Sequence, residues 1–296
     1  MAVVATGFFD GVHLGHRLVI RQLVGAAAER GMASTVVTFW PHPRTVLQDG
    51  ARDLRLLNTL AEKKALLEGL GVDRVEVVPF TRAFSRMTTE EYLRDFLIAE
   101  LGARTLLLGY DNRMGRDAGT PDQIQRIAEG LGLEVLRTDR VDRGEVTVSS
   151  TKVREALSGG DVVTAAAMLG YPYSLHGVVV AGNRLGRTLG FPTANMQLYE
   201  PLKLVPGGGV YRVQAETLGE RFDGMCNIGV RPTVGNGCAQ TVETHIFGFD
   251  QDIYGLDIRV TFFEKIRDEH RFSSLEALRE QLVADRLRCL EAACRM

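Results

Sequence analysis

Short apolar runs alternate with longer amphipathic stretches through the first half of the chain. The runs predict buried strands, and the stretches between them predict helices. Nearly unbroken apolar strands separated by helices are typical of a parallel sheet covered on both faces, which binds ligands beyond the carboxyl ends of its strands. The predicted strands are Ala2–Thr6, Ser34–Phe39, Arg74–Pro79, Arg104–Gly109 and Leu133–Thr138.

Several of the intervening helices have clear start signals. A threonine followed three residues later by Glu or Gln predicts a capping box, in which side chain and backbone satisfy each other at the first turn. This pattern begins at Thr59, Thr88 and Thr120. Pro121 follows Thr120 at the position where proline suits a helix start.

From Ser174 onward the pattern changes to strands separated by Gly, Pro, Asn and Asp. One helix closes the chain, with a capping box predicted at Ser273 and Glu276. Its apolar positions are Leu275, Leu278, Leu282, Leu287 and Leu290. Short antiparallel strands with a terminal helix predict a small barrel. The strands are predicted at Leu175–Val180, Val210–Thr217, Phe222–Ile228, Thr241–Phe249 and Asp257–Lys265.

The change of pattern falls near Gly159-Gly160, which predicts two domains, 1–158 and 159–296. A chain of 296 residues is long enough for both. The formal net charge of −2 argues against a nucleic-acid-binding surface, which usually carries a basic surplus. No apolar run approaches the roughly 20 residues of a membrane span. The four cysteines have no zinc spacing, and with no signal sequence they predict reduced thiols in a cytoplasmic protein.

The most informative segment is Thr6–His16, which joins the first strand to a helix. A glycine-rich turn at a helix N-terminus presents free N–H groups and the positive end of the helix dipole to an anion. His13 and His16 are three residues apart, so both rings can lie on one side of the first turn. Two imidazoles beside exposed amides suit a nucleotide phosphate chain and could stabilise charge in adenylyl transfer.

Other polar groups follow the later strands of this half. Ser150, Thr151 and Arg154 open a helix after the last strand and could form a second phosphate clamp, although Ser and Thr are also common helix caps. Asp111 and the segment Trp40–Arg44 follow the fourth and second strands, at the predicted ligand edge.

The second half carries a glycine-rich loop, 182–195, that lacks the Walker spacing. Thr193 and Asn195 alternate, so on an extended segment both oxygens face one side and suit Mg²⁺. Arg187 adds charge for phosphates. Glu243 lies on a predicted strand and could take a proton from an attacking hydroxyl, but taken alone it is more simply a solvent-facing residue.

Four segments of the first half, FDGVHLGH, PHP, LGYD and SSTKVR, resemble the FMN adenylyltransferase module of bacterial riboflavin-biosynthesis proteins, which carries an HxGH signature. The family usually has phenylalanines where this chain has Asn112 and Met114. The resemblance implies a Rossmann-like nucleotidyltransferase fold. It further implies that ATP and its phosphates contact Gly7, Phe8, Asp10, His13, His16, Asp111, Ser150, Thr151 and Arg154.

The second half resembles the riboflavin kinase module through GRTLGFPTAN, GVYRV, NIGVRPTVG, VETH and the closing helix. The resemblance implies a six-stranded barrel with a terminal helix. It implies that Thr193 and Asn195 hold Mg²⁺, that Glu243 activates the ribityl hydroxyl, and that the Arg271–Leu275 region covers the flavin ring. It implies that ATP or flavin contacts Gly186, Arg187, Gly190, Pro192, Thr193, Asn195 and Arg271.

Both resemblances together predict a cytoplasmic bifunctional enzyme. The barrel would phosphorylate riboflavin with ATP to FMN, and the first domain would adenylylate FMN to FAD with a second ATP, both with Mg²⁺. Only small-molecule partners are predicted. Two alternatives remain open. The first domain could adenylylate another acceptor, such as a pantetheine phosphate, or the barrel could bind flavin without turning it over.

Overall fold

The computed structural model describes residues 1–47, 54–109, 112–138, 148–182, 185–232 and 238–293. It divides into two compact units, Met1–Ser150 and Thr151–Met296. No helix within the described ranges has the length and hydropathy needed to cross a bilayer.

A five-stranded sheet forms the centre of the first unit, with strand order β3-β2-β1-β4-β5. Every neighbouring pair is parallel, which confirms the fold class predicted for this half. Apolar clusters cover the sheet on both faces, and the middle strand of the sheet is buried at every position. The strands are β1 (Ala2–Thr6), β2 (Ala33–Trp40), β3 (Arg74–Pro79), β4 (Ala103–Leu108) and β5 (Glu134–Arg137).

Three helices of this unit begin where the sequence predicts. Thr59, Thr88 and Thr120 each form a complete capping box with the residue three positions later. A 3₁₀ turn, Phe84–Arg86, precedes α4, which continues as a π-helix over Tyr92–Glu100. The α-helices are α1 (Leu14–Arg30), α2 (Pro43–Leu47), α3 (Leu60–Glu68), α4 (Thr89–Glu91) and α5 (Pro121–Gly130).

The second unit is built around a closed antiparallel barrel with strand order β10-β7-β6-β11-β8-β9, which confirms the predicted barrel. Its strands are β6 (Ser174–Val180), β7 (Ala194–Leu198), β8 (Gly209–Thr217), β9 (Glu220–Pro232), β10 (Cys238–Ile246) and β11 (Asp257–Arg267). Its helices are α6 (Ser150–Ser158), α7 (Val162–Leu169), α8 (Leu185–Thr188) and α9 (Leu275–Ala293).

Three details of the second unit differ from the strand and helix predictions. Strand β7 was absent from the five predicted strands, because it is short and follows directly on a glycine-rich loop. The cap of α9 is one residue later than predicted, since Ser274 Oγ, rather than Ser273, accepts from the Ala277 amide at 3.1 Å. Helix α9 also leaves three of its predicted apolar positions exposed: Leu275, Leu287 and Leu290.

The buried side of α9 includes a charged residue. Asp285 is buried and accepts hydrogen bonds from Nε and Nη2 of Arg267, at the end of β11. Cys289, one turn further along, is buried on the same side. The ion pair between Arg267 and Asp285 determines which side of α9 packs against the barrel. The spacing of the leucines alone therefore does not identify that side.

Candidate active sites

The loop between β1 and α1 has an unusual backbone. Phe9, Gly11 and Val12 have φ angles of 51°, 83° and 37°. A β-branched residue such as Val12 pays a steric cost in this region, and such conformations persist only where the surroundings enforce them. Val12 is completely buried, so the packing of the loop supplies that constraint. The loop is therefore held in one shape before any ligand binds.

His13 and His16 lie together at the start of α1. His13 caps the helix, because its Nδ1 accepts the His16 amide at 3.3 Å, and the two rings stack with centroids 3.6 Å apart. Within the described part of the chain, Nδ1 of His16 is buried and has no hydrogen-bond partner. Burial, with the nearby charges of His13 and Lys63, holds the pKa of His16 well below its usual value.

Two buried charged residues fix this loop to its surroundings: Lys63 on α3, and Asp10 within the loop itself. Lys63, on α3, is only 1% exposed, and its Nζ donates to the Phe8 carbonyl at 2.8 Å and lies 3.6 Å from the centre of the Phe8 ring. Burial lowers the pKa of Lys63 to about 8, although Asp10 opposes that shift. The carboxylate of Asp10 accepts the amides of Leu57 and Asn58.

The structure brings other predicted residues to the same loop. Ser150 Oγ donates to the Asp10 carbonyl at 2.8 Å. The ring of His42, which follows β2, packs edge-on against Phe8 at 4.1 Å. Thr151 and Arg154 lie on α6 in the second unit. Asp111 lies outside the described residues.

An aromatic cavity of about 590 Å³ opens beside the loop, beyond the carboxyl ends of β1 and β2. Tyr92 stands at its inner end, with its hydroxyl 2.8 Å from Thr6 Oγ1, and burial raises the pKa of that phenol. Asn112 Nδ2 donates to the Thr6 carbonyl at 3.2 Å. The side walls are mainly aromatic and apolar: Phe39, Pro43, Leu47, Phe80, Phe84, Met87 and Met114.

In the barrel, three polar residues lie side by side on adjacent strands. Glu243 on β10 pairs with Asn195 on β7 and with Asn227 on β9. Residues paired directly across antiparallel strands face the same side of a sheet, so their side chains form a row. All three are half-buried. A carboxylate flanked by two carboxamides can accept a proton while its neighbours hold polar substrate groups.

Two cavities flank this row, and Thr193 lines both of them. The first, of about 280 Å³, contains Asn195 together with Gly182, Arg187 and Pro192. The second, of about 310 Å³, contains Glu243, Asn227, Gly186, His245, Phe272 and Leu278. Thr193 and Asn195 thus line the same cavity, while Gly190 and Arg271 line neither cavity.

Gly182 makes room for the Asn195 side chain. A Cβ atom at position 182 would stand 2.3 Å from Asn195 Nδ2, which is far inside contact distance. Gly186 plays a similar part beside Phe191, since a Cβ there would stand 2.3 Å from the Phe191 carbonyl oxygen. Two glycines of the loop are therefore required by close approach.

Sequence reasoning missed four residues of these sites: Lys63, Tyr92, Asn227 and His245. Lys63 carried a signal, because it falls in phase with Leu60 and Leu67 on the apolar side of α3, where a lysine is unusual. His245 is two positions from Glu243 and so faces the same side of β10. Burial lowers its pKa below the usual value. Asn227 becomes recognisable only from the register of β9 with β10.

Comparison with known proteins gives consistent matches along the chain. A family model described as FAD synthetase matches residues 1–152, and one described as riboflavin kinase matches residues 169–292. A bifunctional riboflavin kinase/FMN adenylyltransferase of Listeria monocytogenes is 36% identical over 284 residues, covering 96% of this chain and 90% of the relative. The protein of the same description from Escherichia coli K12 is 38% identical over 293 residues, covering 98% and 92%.

A solved structure from Streptococcus pneumoniae, described as a macrolide-efflux protein, superposes with a TM-score of 0.88. It is 32% identical and covers 96% of this chain and 92% of its own. The likeness extends through both units, in agreement with the full-length relatives. The chain belongs to the bifunctional riboflavin kinase/FMN adenylyltransferase family.

Proposed function

We propose that this FAD-forming enzyme carries out its two reactions at the two sites described above. The barrel phosphorylates riboflavin at Thr193, Asn195 and Glu243, and the first unit adenylylates FMN at the loop containing His13 and His16. The observation that supports this assignment is that each unit has its own glycine-rich loop beside its own cavity. We assign the two activities to the predicted domains, 1–158 and 159–296.

In the first unit, adenylyl transfer requires the FMN phosphate to approach the α-phosphorus of ATP while pyrophosphate leaves. Because Nδ1 of His13 accepts the His16 amide, a neutral His13 ring carries its proton on Nε2 and can donate it to a phosphate oxygen. Donors fixed in place before the reaction stabilise developing charge without reorganising. Lys63 supports this role by holding the Phe8 carbonyl.

The aromatic cavity is the proposed site of the FMN ring. Its volume of about 590 Å³ suits a tricyclic ligand, and its walls offer Phe39, Phe80 and Phe84 for stacking and edge contacts. Gly7 belongs to both the cavity wall and the phosphate loop, so a ring in the cavity would direct its phosphate toward the loop. Asn112 and Met114, where the family usually has phenylalanines, line the same cavity.

In the barrel, we assign Glu243 as the general base for the riboflavin 5′-hydroxyl. Glu243 lies between Asn195 and Asn227 in the strand register and lines the cavity that contains Phe272. The cavity with Gly182 and Arg187 would take ATP, and the one with Phe272 would take the flavin. Phosphoryl transfer depends mainly on alignment and charge neutralisation, which this arrangement provides.

The residues present fit Mg²⁺. Among the described residues, no three His, Cys, Asp or Glu side chains gather as a metal site. Thr193 and Asn195 nevertheless place a hydroxyl and a seated carboxamide in one cavity, and neutral oxygens suit a cation that keeps its waters and takes substrate phosphates. Bound there, Mg²⁺ would offset the charge of the ATP phosphates during transfer.

Incubation with riboflavin, ATP and Mg²⁺, followed by chromatography of the flavins, tests the assignment. We expect FMN first and FAD later, and no FMN when Mg²⁺ is removed by a chelator. Unchanged riboflavin would contradict the kinase and favour a barrel that only binds flavin. FMN without FAD, together with adenylylation of a pantetheine phosphate, would favour the other acceptor. We place the enzyme in the cytoplasm, where ATP is supplied and where free thiols such as Cys226 and Cys289 persist.

Nucleotide binding at the first site should take up protons. His16 is neutral in the free protein because its pKa is lowered, and the negative charge of bound ATP favours the imidazolium. The complex then binds more protons than the free protein, so the affinity for ATP should rise as the pH falls. Calorimetry in two buffers of different ionisation enthalpy measures the uptake, expected at up to about one proton.

His16→Ala provides the reference for that measurement, because the barrel site and the nucleotide itself contribute equally to both proteins. The variant should take up fewer protons than the unaltered chain. Identical uptake by the two proteins would mean that His16 does not meet the phosphates.

Gly182→Ala should impair the kinase alone. The added Cβ would stand 2.3 Å from Asn195 Nδ2, so the carboxamide must shift from its present place in the ATP cavity. Displacement of a positioning group by about 1 Å can cost roughly 10²-fold in rate, and we expect a loss of that order in FMN formation. Gly208→Ala is the matched control, because its Cβ would lie 3.5 Å from the Ile228 carbonyl oxygen, an ordinary contact. Equal rates for the two variants would rule out a role for Asn195.

A further inference from the structure

His245 is a buried residue in the flavin cavity that the proposed mechanism leaves without a task. It lies two positions after Glu243 on β10, lines the same cavity as Glu243 and Thr193, and is 7% exposed. Its ring makes edge contacts with two aromatic rings, with centroids 5.2 Å from Phe191 and 5.6 Å from Phe247. These contacts restrict the orientation of the ring.

One hydrogen bond shows which backbone group the His245 ring holds. Nδ1 of His245 lies 2.8 Å from the carbonyl oxygen of Pro192. A carbonyl can only accept, so Nδ1 carries the proton and donates it. The Pro192 carbonyl belongs to the peptide unit that includes the Thr193 nitrogen. The histidine thus holds the backbone immediately before the Thr193 side chain.

The position of this bond in the strand register explains why a side chain is needed there. Strand β7 pairs with β10 from Met196 and Val242 to Ala194 and Thr244, and the ladder stops at that point. The next residues in register are Thr193 and His245. At this position the His245 side chain, rather than a backbone hydrogen bond of the ladder, connects β10 to the segment before β7. On the preceding side, the Phe191 amide donates to the Gly186 carbonyl at 2.8 Å.

Thr193 is the residue that lines both the ATP cavity and the flavin cavity. A shift of its backbone would change the distance from its hydroxyl to the Glu243 carboxylate, and with it the alignment of the two substrates. Asn195, in contrast, is held by the ladder itself. Of the two residues assigned to Mg²⁺, Thr193 is thus the one whose backbone is held by a side chain rather than by the strand ladder.

We propose that His245 is a positioning residue for phosphoryl transfer, which fixes the Pro192–Thr193 peptide and through it the Thr193 hydroxyl relative to Glu243. The proposal rests on the kinase site described above. It assigns the histidine no contact with the reacting atoms. The positioning role requires an N–H donor at the δ position of the side chain. It does not require the aromatic ring itself.

Three substitutions separate these roles. His245→Asn keeps an N–H donor at the δ position, His245→Gln moves the donor one bond further out, and His245→Leu removes it while keeping apolar volume. We expect kcat for FMN formation to fall by about 10²-fold in the Leu variant and less in the Gln variant, and to stay near the original value in the Asn variant. The Mg²⁺ concentration for half-maximal rate should rise in the same order, with little change in KM for riboflavin.

A double-mutant cycle with Thr193→Val tests whether His245 influences the rate of FMN formation through Thr193. If His245 acts through Thr193, then His245→Leu should cost little further rate in the Thr193→Val background, because contacting residues with one function are not additive. His176→Leu is the control within the barrel, since His176 packs on Tyr199 and lines neither cavity. Conversion of FMN to FAD by the same samples measures the amount of active first unit, to which the rates of FMN formation are normalised.

Several outcomes would overturn the proposal. Equal loss in the Asn and Gln variants would mean that the ring itself is required, and this comparison stands even if the Leu variant does not fold. Additive losses in the cycle would separate His245 from Thr193. Glu243→Gln, measured in parallel, separates failure of the proposed kinase site from failure of the positioning role. If Glu243→Gln forms FMN normally, the kinase site itself is misplaced. If Glu243→Gln is inactive but the His245 variants keep the original rate, only the positioning role is refuted.

Discussion

Glu243→Gln should stop the formation of FMN from riboflavin while FMN added to the same protein is still converted to FAD. The substitution keeps the size and hydrogen-bonding reach of the side chain but removes its capacity to accept the proton of the 5′-hydroxyl. General base catalysis contributes typically about 10²–10⁴-fold, so we expect a loss within that range. The row Asn195–Glu243–Asn227 should remain in place, because strand register and not the charge sets it.

Rates of FMN formation from riboflavin and of FAD formation from FMN, measured by chromatography, give both readouts. Glu220→Gln is the matched control, since Glu220 is an exposed carboxylate at the start of β9 in the same barrel. It should behave as the unaltered protein. A parallel decline of both reactions in Glu243→Gln would contradict separate sites, and full FMN formation would show that another group takes the proton.

His16→Ala should have the reverse effect, with FAD formation from FMN reduced and riboflavin phosphorylation unchanged. Removing one preorganised charge-stabilising donor commonly costs about 10²–10³-fold in rate. The substitution should also disturb the position of His13, because the His13 ring loses the stacked His16 ring whose centroid lies 3.6 Å away. Loss of the ring should therefore affect both the number of donors and their alignment.

Gln22→Ala is the control for this variant, because Gln22 is an exposed polar residue on the same helix, α1. Its FAD synthesis should match that of the unaltered chain. Normal FAD synthesis by His16→Ala would refute the assignment of the histidines. A loss of riboflavin phosphorylation as large as that of FAD formation would show that the two sites are not independent.

The features predicted best from the sequence are those that local interactions decide. The capping boxes at Thr59, Thr88 and Thr120 each involve residues three positions apart, and all three are present. The parallel sheet followed from apolar strands separated by helices. The phosphate loop was recognised because its glycines, its histidines and the start of α1 are contiguous in sequence.

Features that depend on distant partners were missed or wrong. Asn227 and Glu243 are neighbours only through the register of β9 with β10. Lys63 can be buried because its Nζ donates a hydrogen bond to the Phe8 carbonyl, fifty-five positions away. Helix α9 turns a buried Asp285 toward the barrel because Arg267 pairs with it, and its exposed leucines follow from that rotation. In each case a polar contact between remote segments overrides the local apolar pattern.

The aromatic cavity of the first unit has a consequence for selective chemistry. Phe39, Phe80 and Phe84 give this cavity a wall of three phenyl rings, whereas the proposed flavin cavity of the barrel combines Phe191 and Phe272 with the polar side chains of Glu243, Asn227 and His245. If FMN binds there as proposed, a flat compound shaped to fit among those phenyl rings would block FAD formation alone. A bacterium treated with it would accumulate one flavin nucleotide while being starved of the other, an imbalance that no drug directed at the barrel could produce.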